Sequence, residues 1–313
     1  MADADYVREY FSGQAAGWVT KAYEEPAEYP VGVQRVRLAL QSVVERAGRS
    51  CELIDLGCGG GELCIDAARI GMSATGLDIA EGMIAEAGKK REQLTPELRE
   101  RLSFVVGNVL ETGLGDETFD AATAIGVVEY LPEDSAFLAE TQRLLRPGGT
   151  LVISCRNRLF NMASLNAYTQ EEIEDGNAAR LLSEMLPLQS ERLPENVLRN
   201  FVASLETALP RLSQAIAADE AMAPGGPPQE KPVGPFAQPR RQHTPEQLAD
   251  AAGRAGFSDP TFVAAHPHPL PPSIEKQYPH FYNQLARLFE AFERQPQSLL
   301  WSSTFIAVFT KPG

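Results

Sequence analysis

Leu53-Ile54-Asp55-Leu56-Gly57-Cys58-Gly59-Gly60-Gly61, followed by Gly76-Leu77-Asp78-Ile79, decides the fold of this chain. A short apolar strand enters a glycine-rich turn and then a helix, and a second strand closes on an acidic residue. Glycines in such a turn let the backbone approach a ligand that any Cβ would block. A carboxylate at the next strand end is placed to take both hydroxyls of a ribose. The dinucleotide fingerprint is not met, because Glu62 stands where its third glycine would be.

Outward from this turn, strands are expected near 52–56, 73–78, 103–107, 120–125 and 149–155, and helices near 61–70, 80–90 and 134–145. Such alternation implies a parallel sheet covered on both faces. Upstream, Val33, Val36, Leu38, Leu40 and Val43-Val44 recur on roughly one face of a helix from Val31 to Arg46. Downstream of Cys155 the alternation stops, and residues 158–220 read as several helices. Six prolines and three glycines between Pro224 and Pro239 cannot continue a helix. They leave little apolar surface to offset ordering entropy, so mobility is expected there. Order returns at His243-Thr244-Pro245-Glu246, with Thr244 as N-cap and Pro245 at the first helical position, and Gly256 stops that helix. Strands near 260–265 and 300–310 follow, with an amphipathic helix near 279–294 between them.

At 313 residues the chain can bury a sizeable core as one large domain or two small ones. Its net charge of −14 speaks against a phosphate-tracking surface, so no nucleic-acid partner is expected. No apolar run approaches the length of a membrane span, and the acidic start Met1-Ala2-Asp3-Ala4-Asp5 is unlike a secretory leader. A cytoplasmic protein is expected. Cys51, Cys58, Cys64 and Cys155 have neither zinc-ligand spacing nor a disulfide pattern, so they read as buried thiols in a reducing compartment, with no metal.

With Asp55, the glycine turn and Asp78 in this order, the chain resembles the class I S-adenosylmethionine (SAM)-dependent methyltransferases. Phe104-Val105-Val106-Gly107-Asn108-Val109 resembles their third strand and Phe119-Asp120-Ala121-Ala122-Thr123-Ala124-Ile125 their fourth. Leu144-Leu145-Arg146-Pro147-Gly148-Gly149-Thr150-Leu151 resembles the helix end and turn before the fifth. The matching stretch runs over roughly residues 50–156. It implies an α/β, Rossmann-like, mostly parallel seven-stranded sheet of order 3-2-1-4-5-7-6 with an antiparallel last strand. It further implies a helical lid over 1–48, a SAM-binding core over 49–157, a helical cap insertion after strand 5 over 158–242, and a C-terminal part of the core over 243–313.

The resemblance also assigns roles at the cofactor end. The backbone at Gly57 and Gly59 should approach the methionine part of SAM, with Asp55 engaging its ammonium through water. Asp78 should bind the ribose. Ile79 and Met83 should flank the adenine, and Asn108, followed by Val109, should meet its amino group in place of the family's more usual Asp. Ile125 should end the fourth strand beside the methionine moiety. No catalytic residue carries over, because methyl transfer chiefly needs an aligned acceptor and excluded water.

At the acceptor end, Gly126-Val127-Val128-Glu129-Tyr130 stands where adenine-type amino methylation would need Asn-Pro-Pro-Tyr or Asp-Pro-Pro-Tyr. That argues against amino methylation of adenine, and the order of motifs resembles the ubiquinone-type and natural-product methyltransferases, which implies a small-molecule acceptor; oxygen is favoured over nitrogen because His243 is available as a base. His266 and His268 read more readily as loop histidines than as metal ligands. Arg156, Arg240 and Arg241 point to an anionic group on the acceptor, and Tyr10, Phe11, Trp18 and Tyr23 resemble the lid that folds over the cofactor in small-molecule methyltransferases, with Tyr10 and Trp18 also expected at the acceptor. The competing readings are methylation of a protein or peptide side chain, and a SAM-binding regulatory protein without turnover.

Overall fold

The strand that carries the glycine turn, β1 (Glu52–Leu56), lies inside a seven-stranded sheet, beside its central strand. In the computed structural model, which describes residues 4–19, 29–222 and 240–313, β1 pairs in parallel with β2 (Ser73–Asp78) and β4 (Phe119–Ile125). Beyond β2 lies β3 (Leu102–Val106), and beyond β4 lies β5 (Leu145–Arg156), both parallel. β7 (Ser302–Thr310) runs antiparallel to β5, and β6 (Ser258–Pro267) closes that edge antiparallel to β7. The order is 3-2-1-4-5-7-6, as the resemblance implied.

Parallel strands buried on both faces alternate between two cores. Leu53, Val152, Ile306 and Val308 face α2 (Val31–Ala47) and α3 (Glu62–Arg69), whereas Ile54, Ile153, Phe305 and Phe309 face α6 (Ser135–Leu144) and α11 (Pro245–Arg254). α11 starts where its sequence says it should. The Thr244 hydroxyl accepts from Gln247 N at 3.1 Å, and the Gln247 side chain accepts from Thr244 N at 3.0 Å. α1 (Ala4–Val19) lies against α4 (Glu81–Glu92), with Phe11 and Ala15 packed on Ala80 and Met83.

Between β5 and α11 run α7 (Phe160–Ser164), α8 (Ala167–Glu174), α9 (Ala178–Ser190) and α10 (Glu195–Ala221). The short helices α5 (Pro96–Glu100) and α12 (Pro272–Glu275) complete the numbering before α13 (Pro279–Phe289). That last helix ends before the 294 expected from the sequence and hands over to a 3-10 turn at Glu290–Phe292. Asp219 of α10 caps it, accepting from His280 N at 3.0 Å and Phe281 N at 2.9 Å. The Pro/Gly-rich stretch, and the mobility expected of it, lie outside the described residues.

Candidate active site

The carboxyl ends of β1 to β4 open into a cleft of about 1410 Å³, its mouth included. Gly57, Gly59, Asp78, Ile79, Met83, Asn108, Val109 and Ile125 all line it. The turn is built for backbone approach: Gly57 has φ +77°, and a Cβ there would fall 2.5 Å from Val127 Cγ2. Asp78 is anchored at the end of β2, one carboxylate oxygen accepting from Gly59 N at 2.9 Å and the other from Ala80 N at 2.8 Å. Each oxygen keeps a second acceptor direction. Burial pushes the Asp78 carboxyl up, against those backbone donors. The Asn108 carbonyl accepts from Leu110 N at 3.0 Å, which fixes the side chain and leaves one lone pair.

Asp55 does not reach the cleft. It is 3% exposed behind the turn, where it accepts from the Thr123 hydroxyl at 2.7 Å. Burial drives its carboxyl up to about 7. The water-linked ammonium contact is replaced by a buried hydrogen bond that ties β1 to β4.

The arginines and the histidine expected at the acceptor end separate. Arg240 lines the cleft, its guanidinium 5.6 Å from the centre of the Tyr130 ring. Arg241 is held away from it by a two-pronged ion pair to Asp134, with both N–O distances 2.8 Å. Arg156 lies over Tyr168, 6.0 Å from the ring centre. His243 is buried and both of its ring nitrogens are engaged, Nε2 with Asp134 at 2.9 Å and Nδ1 with Cys155 Sγ at 3.2 Å. It is therefore a structural histidine and corrects the expectation of a base at this position. The Arg241 and His243 partners hold the Asp134 carboxyl below the usual range, despite its burial.

His266 and His268 are also internal. The His266 and His268 rings lie 4.3 Å apart, His266 bonded to Ser303 Oγ at 2.9 Å and His268 to the Tyr282 hydroxyl at 2.8 Å. Burial pushes both below the ordinary histidine range, His268 to about 4. No cluster among the described residues could hold a metal.

From α1, Ala4, Val7 and Phe11 face the cleft rather than Tyr10, which packs edge-on to Phe11 at 5.1 Å. Phe11 in turn meets Tyr130 edge-on at 5.5 Å. The Trp18 side chain and Tyr23 lie outside the described residues.

Two charged cleft residues were given no role in the sequence reading. Arg35 of α2 reaches the floor beside Gly126, and its Nε is buried with no hydrogen-bond partner among the described residues. Its signal was positional, since it shares a turn of α2 with buried Gly32, Val36 and Ala39. Glu129, 8% exposed, lines the cleft in the 3-10 turn Val128–Tyr130 that follows β4.

Residues 54–153 match the family model described as a methyltransferase domain. The mitochondrial ubiquinone biosynthesis O-methyltransferase of Schizosaccharomyces pombe is 37% identical over 107 residues, which is 34% of this chain and 38% of that protein. The Methylococcus capsulatus ubiquinone biosynthesis O-methyltransferase is 31% identical over 162 residues, 51% of this chain and 63% of that one. The chain thus spans between about two fifths and two thirds of the length of these curated relatives. Among solved structures, the magnesium protoporphyrin IX methyltransferase of Synechocystis PCC 6803, with bound SAH, superposes with a TM-score of 0.55 at 16% identity, covering 99% of this chain and 100% of that one. The cyclase SpnF has the same score at 16% identity over 99% of this chain and 97% of its own, so the fold alone does not fix an activity. The glycine turn, the strand order and the family model agree: residues 54–153 match a methyltransferase domain, set in a sheet of the order that the resemblance to the class I SAM-dependent methyltransferases implied.

Proposed function

We propose that the protein is a SAM-dependent methyltransferase that methylates a hydroxyl of a small molecule in the cytoplasm. The observation that carries this reading is the continuity of the cleft. Its cofactor-shaped half at Gly57, Asp78 and Asn108 runs past Gly126 into a second half lined by Phe11, Glu129, Tyr130 and Arg240. The names of the O-methyltransferase relatives favour oxygen.

SAM fits the first half on two counts. The space a Cβ at Gly57 would claim is kept open, and the unpartnered Arg35 Nε lies where an anion would satisfy it. Gly57 and Gly59 would admit the methionine part, Arg35 would take its carboxylate, and Asp78 would accept from the ribose hydroxyls. Asn108, Val109, Ile79 and Met83 would enclose the adenine. Bound SAM supplies an electrophilic methyl group on a sulfonium. The residues of the chain hold the acceptor in line with it and exclude water, with Phe11 and Val7 as the apolar cover. Of the arginines that suggested an anionic acceptor, Arg240 alone faces the cleft, and it would anchor such a group.

Calorimetry with SAH tests the cofactor half. Asp78→Ala leaves polar groups unpaired, costing about 1–3 kcal/mol, or roughly ten- to hundredfold in affinity. Unchanged affinity would overturn the assignment. Labelled methyl transfer to a panel of hydroxylated and aminated aromatic acids tests the choice of oxygen.

A further inference from the structure

We infer that Glu129 is the catalytic residue that takes the proton from the acceptor hydroxyl, with Tyr130 as its hydrogen-bonded neighbour. This rests on the O-methyl-transfer reading above. Among the described residues, the titratable or charged ones that line the cleft are Asp78, Glu129, Tyr130, Arg35 and Arg240. Asp78 is committed to the far end, with both oxygens on backbone amides. The arginines remain protonated and hold no lone pair to offer. Burial and the adjacent Glu129 carboxylate push the Tyr130 phenol up, so it keeps its proton and donates it to Glu129. Glu129 is left as the proton acceptor.

Its backbone is held firmly. Tyr130 N donates to Val127 O at 2.9 Å, closing the turn, and Arg241 N donates to Glu129 O at 3.0 Å. One residue before the turn, Gly126 N donates to Ser154 Oγ at 2.8 Å. The segment that ends the cofactor half therefore also presents the carboxylate to the acceptor half. Asp134 is a positioning residue in this arrangement, because it clamps Arg241 and His243 and so docks residues 240–243 on the Glu129 turn.

The step balances. As the acceptor oxygen forms its bond to the methyl carbon, the carbon–sulfur bond breaks and its electron pair stays on sulfur. The hydroxyl proton moves to Glu129 and then to solvent. The Glu129 carboxylate acts on Tyr130 beside it and on Cys155 of β5, Arg240 and Arg35 face Tyr130, and Asp134, Arg241 and His243 gather at Cys155.

Protocatechuate, a catechol carboxylate, serves as the hydroxyl probe and anthranilate as the amine probe, with SAM saturating so that Asp78 does not shape the pH profile. Glu129→Gln should lower kcat on protocatechuate by roughly a hundred- to ten-thousandfold. Calorimetry should find SAH affinity, and protocatechuate affinity for the SAH complex, unchanged within threefold. The wild-type rate should fall toward acid pH, and that limb should be missing in Glu129→Gln. Glu129→Asp should recover part of the rate and restore the limb. A Glu129→Gln enzyme that binds SAH and turns over within threefold of wild type overturns the assignment and leaves O-methylation standing. Wild-type transfer to anthranilate alone, or to neither probe, overturns the O-methyl reading and this assignment with it.

Discussion

The two halves of the cleft are made differently. The cofactor half is mostly backbone at the ends of four neighbouring strands, with Asp78 as its one acidic group and Asn108 its one side-chain amide. The acceptor half is mostly side chains, brought from α1, the 128–130 turn and the segment that returns to the core at Arg240. Backbone sites demand residues with special conformations, and those leave marks at fixed spacing. Side-chain sites demand only that distant residues meet. Substitutions should therefore hurt in different ways: cofactor affinity in the first half, acceptor handling and docking of the return segment in the second.

The largest effect should come from Gly57→Ala. A Cβ at φ +77° costs roughly 1–2 kcal/mol in backbone strain. The collision with Val127, a residue that also lines the cleft, adds to it. SAH affinity should fall about a hundredfold or more. Calorimetry showing less than a threefold change would mean that the turn relaxes and that the cofactor half is not set by backbone.

Asp134→Ala should come next and separate the halves most cleanly. It leaves Arg241 and His243 without the carboxylate they share. Losing one partner of a buried pair costs 3–5 kcal/mol, and partial exposure brings the expected loss of stability to about 2 kcal/mol. Chemical denaturation reads that loss, while SAH affinity at a temperature where the variant is folded should hold within threefold. A parallel collapse of SAH affinity would show that the halves are not independent.

What could be read from sequence follows the same division. Gly57, Gly59 and Asp78 were legible because a ligand close to backbone excludes other residues. Thr244 and Pro245 were legible because a helix start has few chemical solutions. His243 misled. A histidine after a gap in regular structure resembles a base, and nothing local says that Asp134 and Cys155 will take both of its nitrogens. Arg241 was lost to Asp134 in the same way, across more than a hundred positions of sequence. Asp55 was misplaced by a subtler cause. β1 ends on it and Leu56, and the pleat sends their side chains to opposite faces, so a residue beside the turn need not face the ligand.

Asp55 yields the third prediction, a pH dependence at the cofactor end that bypasses the cofactor. Its carboxyl is raised to about 7 by burial, so the folded state binds its proton more tightly than the unfolded state does. Stability from that proton is complete below about pH 4 and is lost as pH rises through 7. Asp55→Asn mimics the protonated form. Its melting temperature should match wild type near pH 4 and exceed it progressively as pH rises to 8. A variant less stable than wild type at pH 8 would mean that the ionised carboxylate is the form Thr123 holds.

The smallest effect should come from Arg240→Ala, which tests whether the acceptor half reads charge. Arg240 approaches the Tyr130 ring as well as the cleft, so its loss removes a cation–π contact of about 0.5–1 kcal/mol at such an exposed site. It also removes the one arginine of the return segment that faces the acceptor. For protocatechuate the KM should rise about three- to tenfold with kcat nearly unchanged, because ground-state anchoring is lost and the proton acceptor remains. For catechol, which lacks the carboxylate, KM should move less than twofold. An equal rise for both probes would assign Arg240 to packing against Tyr130 rather than to recognition, and the choice of acceptor would then rest on Phe11, Tyr130 and the shape they enclose.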